Sequence, residues 1–384
     1  MQASQIFLMP SIATRNQSLA RSSRDAGQLA RKLEQRLSEA PDLSKRFHAL
    51  MRQGKSVRTS EYHLTNACNI RCKGCWFFAV GHDKETRDQT DLEELKRFFE
   101  SERVDREINT ALVIGGEPTL FPERLRVIVD QMRYVTVSTN GLIKLPYEGF
   151  EKVAIGITLF GGGEQDDQLR AIRPNGVRFS GLFDQALEHY TNDQRAGFVY
   201  ALTEDGIANI EGTVERIHSN GNIVTFNYYY QPGEKATGSD ANKQELLREA
   251  LRVKSLYPKT VISPPSFIAS MITGQSNFGE FGYWNCPSIS VNHPAHRDRL
   301  KNGNPILPRF NAWSSDFRTI KFCCTSGHCN GCRDSQAIYS WLLVNWENFL
   351  ESQEDFLTWI EVAESYWSQF IWAPYHYSNQ QEVE

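Results

Sequence analysis

Short apolar segments alternate with amphipathic segments along the middle of the chain, from about residue 57 to residue 258. The short segments have the length and composition of strands, and the amphipathic ones have apolar residues at helical spacing. Strands that alternate with helices in this way favour a parallel sheet with crossover helices. About six strand–helix units fit into this stretch, which is too few for a closed eight-stranded barrel. The pattern therefore predicts an α/β fold with a partial (β/α)6 barrel, and an active site at the carboxyl ends of its strands.

The individual elements follow from the same pattern. The predicted strands are residues 61–64, 111–114, 135–139, 153–159, 198–202 and 223–229. The predicted helices are residues 91–101, 122–133, 181–190, 208–219 and 243–256. Asp91 and Glu94 have the spacing of a capping box at the start of the first of these helices.

The two ends of the chain differ from this middle part in composition and in hydrophobic pattern. Residues 19–53 are polar and helical in pattern, with a break at Pro41. Beyond Ser263 the chain becomes rich in Pro, Gly, Asn and Trp, and seven of its eight tryptophans lie after residue 283. The segment from residue 341 has apolar residues at helical spacing and predicts one or two packing helices. We therefore predict an N-terminal helical extension (1–56), the partial barrel (57–258), a cysteine-rich module (259–340) and a C-terminal helical tail (341–384).

Composition and charge exclude several classes of function. The net charge is −4 and the pI is about 6.2, whereas a protein that binds nucleic acid through phosphates usually has a basic face. No apolar run reaches the roughly 20 residues that span a bilayer, and the first residues lack the pattern of a secretory signal. The N-terminus is rich in Arg and Ser, as in mitochondrial addresses, but a tail that leads into a helix is the favoured interpretation. We expect a cytoplasmic protein with no nucleic-acid partner and no membrane association.

The eight cysteines fall into two groups. The first group is Cys68, Cys72 and Cys75, and the second consists of the five cysteines between residues 286 and 332. Tight spacing in a long chain without an export signal indicates metal binding rather than disulfides. The first group has the spacing Cys-x3-Cys-x2-Cys in a loop after a predicted strand. Metal sites usually have four protein ligands, and no fourth Cys or His is close by. The loop would therefore leave one metal position open to a substrate or cofactor.

This cysteine spacing resembles the signature of the radical S-adenosylmethionine (SAM) superfamily. The resemblance implies a [4Fe–4S] cluster on the three cysteines, with S-adenosyl-L-methionine bound to the fourth iron through its amino and carboxylate groups. In that superfamily an aromatic residue often precedes the third cysteine. Here that position is Gly74, and the aromatic rings follow at Trp76 and Phe77, which are our candidates for cofactor contacts.

Two later motifs strengthen the resemblance. The sequence Gly115-Gly116-Glu117 follows a predicted strand and is similar to the family's GGE motif, which implies that it holds the methionine amino group. Glycines allow a close backbone approach, and a carboxylate can accept hydrogen bonds from an ammonium group. Ser138 and Asn140, at the end of the next strand, resemble the segment that contacts the ribose and carboxylate. Arg170 or Arg173 could pair with that carboxylate, but both could equally be solvated surface residues. We assign a role to neither.

The resemblance also implies the chemistry. The cluster donates an electron to the sulfonium, and the resulting 5′-deoxyadenosyl radical abstracts a hydrogen atom from a substrate. The substrate would be a small molecule or a peptide, and the electron donor a flavodoxin or a ferredoxin. Dehydrogenation, epimerisation and carbon–carbon bond formation all stay open as the reaction.

The second group of cysteines resembles the Twitch or SPASM extensions of such enzymes, which carry auxiliary [4Fe–4S] clusters. Five cysteines suffice for one cluster. We expect Cys286, Cys329 and Cys332 as ligands, together with Cys323 or Cys324, because neighbouring residues on a strand point to opposite faces. We assign Cys323 as the ligand and Cys324 as a candidate hydrogen-atom donor, although a buried small hydrophobe is the more common role of a spare cysteine.

A different class of function also fits the cysteines. A structural or interaction protein with two zinc sites would use thiolates at similar spacing. That interpretation requires a fourth ligand near residues 68–75, and it gives no reason for the motifs at 115–117 and 138–140.

Overall fold

The computed structural model describes residues 23–229, 240–278, 281–284, 286, 288–299, 306–323, 325, 327, 329 and 332–370. The statements below concern these residues. No helix among them is both long enough and apolar enough to span a membrane.

Six parallel strands form the main sheet, as the alternating pattern predicts. They are β1 (Thr59–His63), β2 (Thr110–Ile114), β3 (Tyr134–Thr139), β4 (Val153–Phe160), β5 (Ala196–Leu202) and β6 (Ile223–Tyr228). Each pairs in parallel with the next along the chain. The predicted α/β partial (β/α)6 barrel is therefore confirmed, with each strand within two residues of its predicted bounds.

Two short strands extend the sheet beyond β1. Strand β7 (Ala312–Trp313) pairs with β1 in parallel, and β8 (Ile320–Lys321) pairs with β7 in the antiparallel direction. The sheet order is β6-β5-β4-β3-β2-β1-β7-β8. The region with the later cysteines is thus joined to the first strand of the barrel by main-chain hydrogen bonds.

The helices cover the sheet and extend both ends of the chain. The helices are α1 (Ser23–Glu39), α2 (Pro41–Ser56), α3 (Trp76–Ala79), α4 (His82–Glu85), α5 (Leu92–Val104), α6 (Pro122–Gln131), α7 (Gly163–Arg170), α8 (Leu182–His189), α9 (Ile210–Ser219), α10 (Asp240–Leu256), α11 (Pro265–Thr273), α12 (Ser335–Val344) and α13 (Gln353–Phe370). Pro41 is the first residue of α2, so the predicted break separates two helices. The Asp91 side chain accepts hydrogen bonds from the N–H groups of Glu93 and Glu94, which confirms it as the cap of α5.

The pattern misses four helices, α3, α4, α7 and α11. Two of these, α3 and α4, have only four residues each, which is too short for a periodic signal. In α7 the buried residues are the charged Asp166 and Arg170, so an apolar stripe is absent although the helix has a buried face. A hydrophobic pattern cannot detect a helix of that kind.

The C-terminal helices complete the wall of the barrel. Phe47 of α2 packs against Phe356 and Trp359 of α13, so helices from the two ends of the chain form one layer. At the other end of α13, Thr136 of β3 donates a hydrogen bond from Oγ1 to the carbonyl of Phe370 at 3.0 Å. The end of α13 therefore reaches the interior face of the sheet. The bounds of the four predicted domains stay a prediction.

Candidate functional site

The first three cysteines lie in the loop that follows β1, at the carboxyl ends of the strands. They line a cavity of about 330 Å³. The other candidates for the first centre line the same cavity, namely Trp76, Phe77, Gly115, Gly116, Glu117, Ser138 and Asn140. The structure thus brings these sequence motifs together around one space.

The cysteine loop is held by main-chain hydrogen bonds to a distant segment. The N–H of Arg71 donates to the carbonyl of Ile172, and the N–H of Lys73 donates to the carbonyl of Leu169, both at 2.7 Å. These acceptors lie at the end of α7 and just beyond it. The position of Cys72 between the two bonds is therefore set by α7.

The environment of the three thiols favours their neutral form. Burial raises the pKa of Cys68 to about 11 and that of Cys72 to about 12. Burial also raises the pKa of Cys75, while the N–H groups of Phe77 and Phe78 donate to its sulfur and act in the opposite direction. Since metal ligands bind as thiolates, loading a metal here must release protons.

The arrangement of the thiols suits a cluster. Within the described ranges, no group of three His, Cys, Asp or Glu side chains is placed to hold a single metal ion. In a [4Fe–4S] cluster each thiolate binds its own iron, so the ligands surround a volume and need not meet at a point. Cys68, Cys72 and Cys75 fit such a group because all three line one cavity, and soft thiolates are the ligands that iron–sulfur clusters use.

Gly115 and Gly116 allow two backbone segments to pack closely. The N–H of Gly116 donates to the carbonyl of Thr65, and the N–H of Glu117 donates to the carbonyl of Ala67, both at 2.8 Å. A Cβ on Gly116 would lie 2.0 Å from the Ala67 oxygen, and one on Gly115 would lie 2.7 Å from the Thr65 oxygen. The glycines are therefore required by the approach of the cysteine loop, and their contact with a cofactor stays a prediction.

Glu117 connects the turn after β2 to the end of β3. Its carboxylate is buried and accepts hydrogen bonds from Thr119 N–H (3.0 Å), Thr119 Oγ1 (2.7 Å), Thr139 Oγ1 (2.8 Å) and Asn140 N–H (2.8 Å). Burial raises the pKa of this carboxyl group, and the hydrogen bonds oppose that rise. Protein donors thus already contact this carboxylate, and its predicted hold on an amino group stays a prediction.

Asn140 extends this network to the cysteine loop. Its side-chain N–H donates to the Asn69 side-chain oxygen at 2.7 Å, and its own side-chain oxygen accepts from the N–H of Leu142 at 2.9 Å. Ser138, two residues earlier in the chain, is half-buried and lines the cavity. Ser138 therefore contributes to the cavity wall, while Asn140 connects the motifs to one another.

Arg170 is the residue that the sequence leaves unassigned and that the structure places in the site. Its guanidinium is buried, pairs with Asp166 at 3.0 Å and donates to the Asn140 carbonyl at 3.1 Å. It also donates a hydrogen bond to Cys72. Asp166 and Arg170 have the i,i+4 spacing of a helical ion pair directly after Gly161-Gly162-Gly163, and that spacing is the signal in the sequence that could have identified them.

The aromatic residues around the first centre come from two elements. Trp76 and Phe77 pack on His63, with ring centroids 5.7 and 5.3 Å apart. Tyr229, at the end of β6, lies against Gly74 and donates a hydrogen bond to the carbonyl of Lys73 at 3.0 Å. An aromatic ring from a distant part of the chain therefore lies next to the position before Cys75.

We expect Gly74→Ala to displace Tyr229 and weaken cofactor binding. Gly74 has φ +69°, and a Cβ there would lie 2.4 Å from the Tyr229 hydroxyl. The control is Gly81→Ala, since Gly81 has φ +79° and no atom within 4 Å of its added Cβ. Both variants carry the backbone cost of roughly 1 kcal/mol for a positive φ, but only Gly74→Ala should lower the affinity for SAM in equilibrium dialysis. Equal affinities of the two variants would contradict this expectation.

Four of the later cysteines come together at a second candidate centre. Cys286, Cys323, Cys329 and Cys332 line a cavity of about 20 Å³. A bridge between Ile289 and Cys323 aligns the two chain segments that carry the first two of them. Burial raises the pKa of Cys286, and the nearby Cys332 and Cys323 raise it further. The seven described cysteines form no disulfide with one another, and Cys324 lies outside the described residues, so its predicted role as hydrogen-atom donor has no structural account.

The two centres are neighbours in space. Thr325 lines both cavities. Its carbonyl lies 2.6 Å from Nε2 of His82, a residue of the short helix α4 that follows the first cysteine loop. The sequence predicts two metal sites in different parts of the chain, and the structure adds that the two cavities share a lining residue.

Comparison with known proteins gives one family. Residues 62–236 match the model of the Radical SAM superfamily. A protein of Methanocaldococcus jannaschii that is named as a candidate glycyl-radical enzyme activating enzyme is 33% identical over 81 residues, which cover 20% of this chain and 30% of that protein. The match thus spans less than a third of the length of that relative.

Solved structures also resemble the chain, at low sequence identity. The structure of native anSMEcpe with bound AdoMet and the Cp18Cys peptide has a TM-score of 0.48 at 14% identity, and the likeness covers 82% of this chain and 87% of that one. Streptococcus suis SuiB bound to the precursor peptide SuiA has a TM-score of 0.40 at 12% identity, covering 64% and 55%. Likenesses this remote carry no conclusion about the substrate.

Proposed function

We propose, from the match of residues 62–236 to the model of the Radical SAM superfamily, that this protein is an enzyme that reductively cleaves S-adenosylmethionine and abstracts a hydrogen atom from its substrate. One observation carries the proposal. The cysteine loop, the turn at 115–117 and the segment at 138–140 line one cavity. Glu117 and Asn140 join these three segments by hydrogen bonds. Such a network fixes cofactor-binding groups relative to a metal centre.

We propose that Cys68, Cys72 and Cys75 hold a [4Fe–4S] cluster. When bound there, such a cluster would supply the electron for the reductive cleavage of SAM into methionine and a 5′-deoxyadenosyl radical. Arg170 would orient Cys72 through its hydrogen bond and offset part of the negative charge of the thiolates. Hydrogen bonds to sulfur and burial are the factors by which a protein tunes the potential of such a cluster.

The protein also contributes the wall of the cavity. The aromatic residues that follow Cys75 and the end of α13 form parts of this wall. Enclosure protects a reactive radical from side reactions with water. Ser138, which lines the cavity, could position the cofactor by its hydroxyl group.

We further propose an auxiliary [4Fe–4S] cluster on Cys286, Cys323, Cys329 and Cys332, in a Twitch- or SPASM-like module. The support is that these four thiols line one small cavity beside the first centre. An auxiliary cluster there could accept an electron in a dehydrogenation or anchor a substrate. An epimerisation or a carbon–carbon bond formation would also start with cleavage of SAM at the first cluster. We place the enzyme in the cytoplasm with a flavodoxin or ferredoxin as its reductant.

Anaerobic purification tests the proposal against the zinc-protein alternative. A brown protein with about eight irons per chain is expected for two [4Fe–4S] clusters. With dithionite and SAM it should release 5′-deoxyadenosine, and SAM should change the electron paramagnetic resonance (EPR) spectrum of the reduced cluster. A colourless protein that contains zinc and leaves SAM intact would refute the proposal and support two structural zinc sites.

A further inference from the structure

The wall of the first cavity contains polar atoms that lack a hydrogen-bond partner. They are Oε1 of Glu61, Oδ1 of Asn227, Nε2 of Gln336 and Oε1 of Gln369. Glu61 is 5% exposed and Gln336 is 3% exposed. Buried polar atoms are nearly always paired, because an unpaired one costs about 1–3 kcal/mol. Several of them in the wall of one cavity point to a ligand that pairs with them.

Three of these residues are grouped by the N-terminus of α12. Gln336 lies in the first turn of that helix, and Gln369 donates from Nε2 to Oγ of Ser335 at 3.4 Å. Glu61 of β1 lies in the electrostatic field of Asp334, the residue that caps α12. The three side chains come from a strand and two helices that are far apart in sequence. No motif in the sequence groups them.

The charges near this polar group are balanced. Besides Glu61, the charged residues near this group include Lys321, Arg333 and Asp334, and Nε2 of His63 lies 3.7 Å from Oε1 of Glu61. A free carboxylate would meet the two acidic residues, and an ammonium group would meet the two basic ones. A neutral group with both donors and acceptors suits this environment best, since like charges are unfavourable at close range in a buried site.

The unpaired atoms match an amide. Glu61 and Gln369 offer acceptor oxygens, which suit an N–H group, and Gln336 offers a donor, which suits a C=O group. The rest of the wall includes the apolar residues Leu112, Val199 and Ala201, which suit carbon-rich parts of a ligand. We propose that Glu61, Gln336 and Gln369 form the substrate subsite and bind an amide group of a peptide or peptide-like substrate. This inference rests on the proposed function, because the subsite lies in the cavity assigned to the cluster and SAM.

Binding of model amides tests the inference. The probes are N-acetyl amino-acid N-methylamides with the twenty side chains, each matched by an O-acetyl hydroxy-acid methyl ester in which oxygen replaces both N–H groups. The protein is loaded anaerobically with its clusters and SAM, and retained probe is quantified by equilibrium dialysis with mass spectrometry. We expect some amides to bind, and their esters to bind at least tenfold more weakly, because an unpaired buried acceptor is left behind.

Two variants locate the binding. Gln336→Leu should weaken amide binding by roughly 5-fold to 100-fold. Gln353→Leu is the matched control, because Gln353 also has a buried side-chain oxygen without a partner but lines neither of the two cavities described above. It should bind the amides as the unmodified protein does.

The EPR response to SAM, recorded on the same samples, separates the two proposals. If SAM changes the spectrum but no amide binds, or if esters bind as well as amides, the amide subsite is refuted and the proposed function stands. Binding by Gln336→Leu at unchanged affinity also refutes the subsite. If SAM leaves the spectrum unchanged, the proposed function fails, and the subsite inference fails with it.

Discussion

Cys72→Ala is expected to abolish the release of 5′-deoxyadenosine and to lower the iron content from about eight to about four atoms per chain. Cys72 lies between Arg71 and Lys73, whose N–H groups hold the loop by main-chain hydrogen bonds. Arg170 also donates a hydrogen bond to the Cys72 thiol. Alanine removes the ligand with little change in the fold, since Arg170 keeps Asp166 and the Asn140 carbonyl as partners. Iron analysis and chromatography of the reaction products provide the two measurements.

The matched variant is Cys286→Ala in the second centre. It should also lose about four irons, but it should still split SAM, because its thiol lines the second cavity and not the first. Release of deoxyadenosine by Cys72→Ala would show that the 68–75 loop is not the site of SAM cleavage. Loss of SAM cleavage in Cys286→Ala as well would show that the two centres depend on each other.

Gly116→Ala should lower the free energy of unfolding by about 1–3 kcal/mol and prevent normal loading of the first cluster. The added Cβ would lie 2.0 Å from the Ala67 carbonyl oxygen and 2.5 Å from its carbon. These are backbone atoms next to Cys68, so relief of the collision must move the cysteine loop itself. Anaerobic denaturant unfolding gives the stability, and iron content reports the state of the loop.

Gly212→Ala is the control for this variant. Gly212 lies in α9, and no atom lies within 4 Å of its added Cβ. Alanine there should be neutral or stabilising by up to about 1 kcal/mol, because it favours the helix. Normal iron content and stability in Gly116→Ala would contradict the view that these two segments must approach so closely.

Cys72→Ala and Gly116→Ala both change a segment whose position depends on the other two motifs. The turn at 115–117 continues the β1–β2 pairing into the cysteine loop through the Thr65 and Ala67 carbonyls. Glu117 then connects that turn to Asn140, and Asn140 connects to Asn69. Because each motif is positioned by the others, a change in one is expected to affect cofactor binding by all three.

The strands and the cysteine loop of this protein could be predicted from local patterns. Along β3 the buried residues Val135 and Val137 alternate with half-buried residues such as Thr136, and a period of two is visible in any sequence of that kind. The spacing of Cys68, Cys72 and Cys75 is also local, because a loop of eight residues keeps its ligands close wherever the chain folds. The sequence therefore determined the partial barrel and brought three cysteines together in one loop.

The partners of polar residues were decided only by the tertiary structure. Glu61 and Gln336 are 275 positions apart, yet they share one cavity wall. Tyr229 fills the space beside Gly74. Arg170 is buried because Asp166 and Cys72 surround it. Periodic patterns report whether a residue faces the core, but they contain no information about which distant side chain it meets there, since that depends on how whole elements pack.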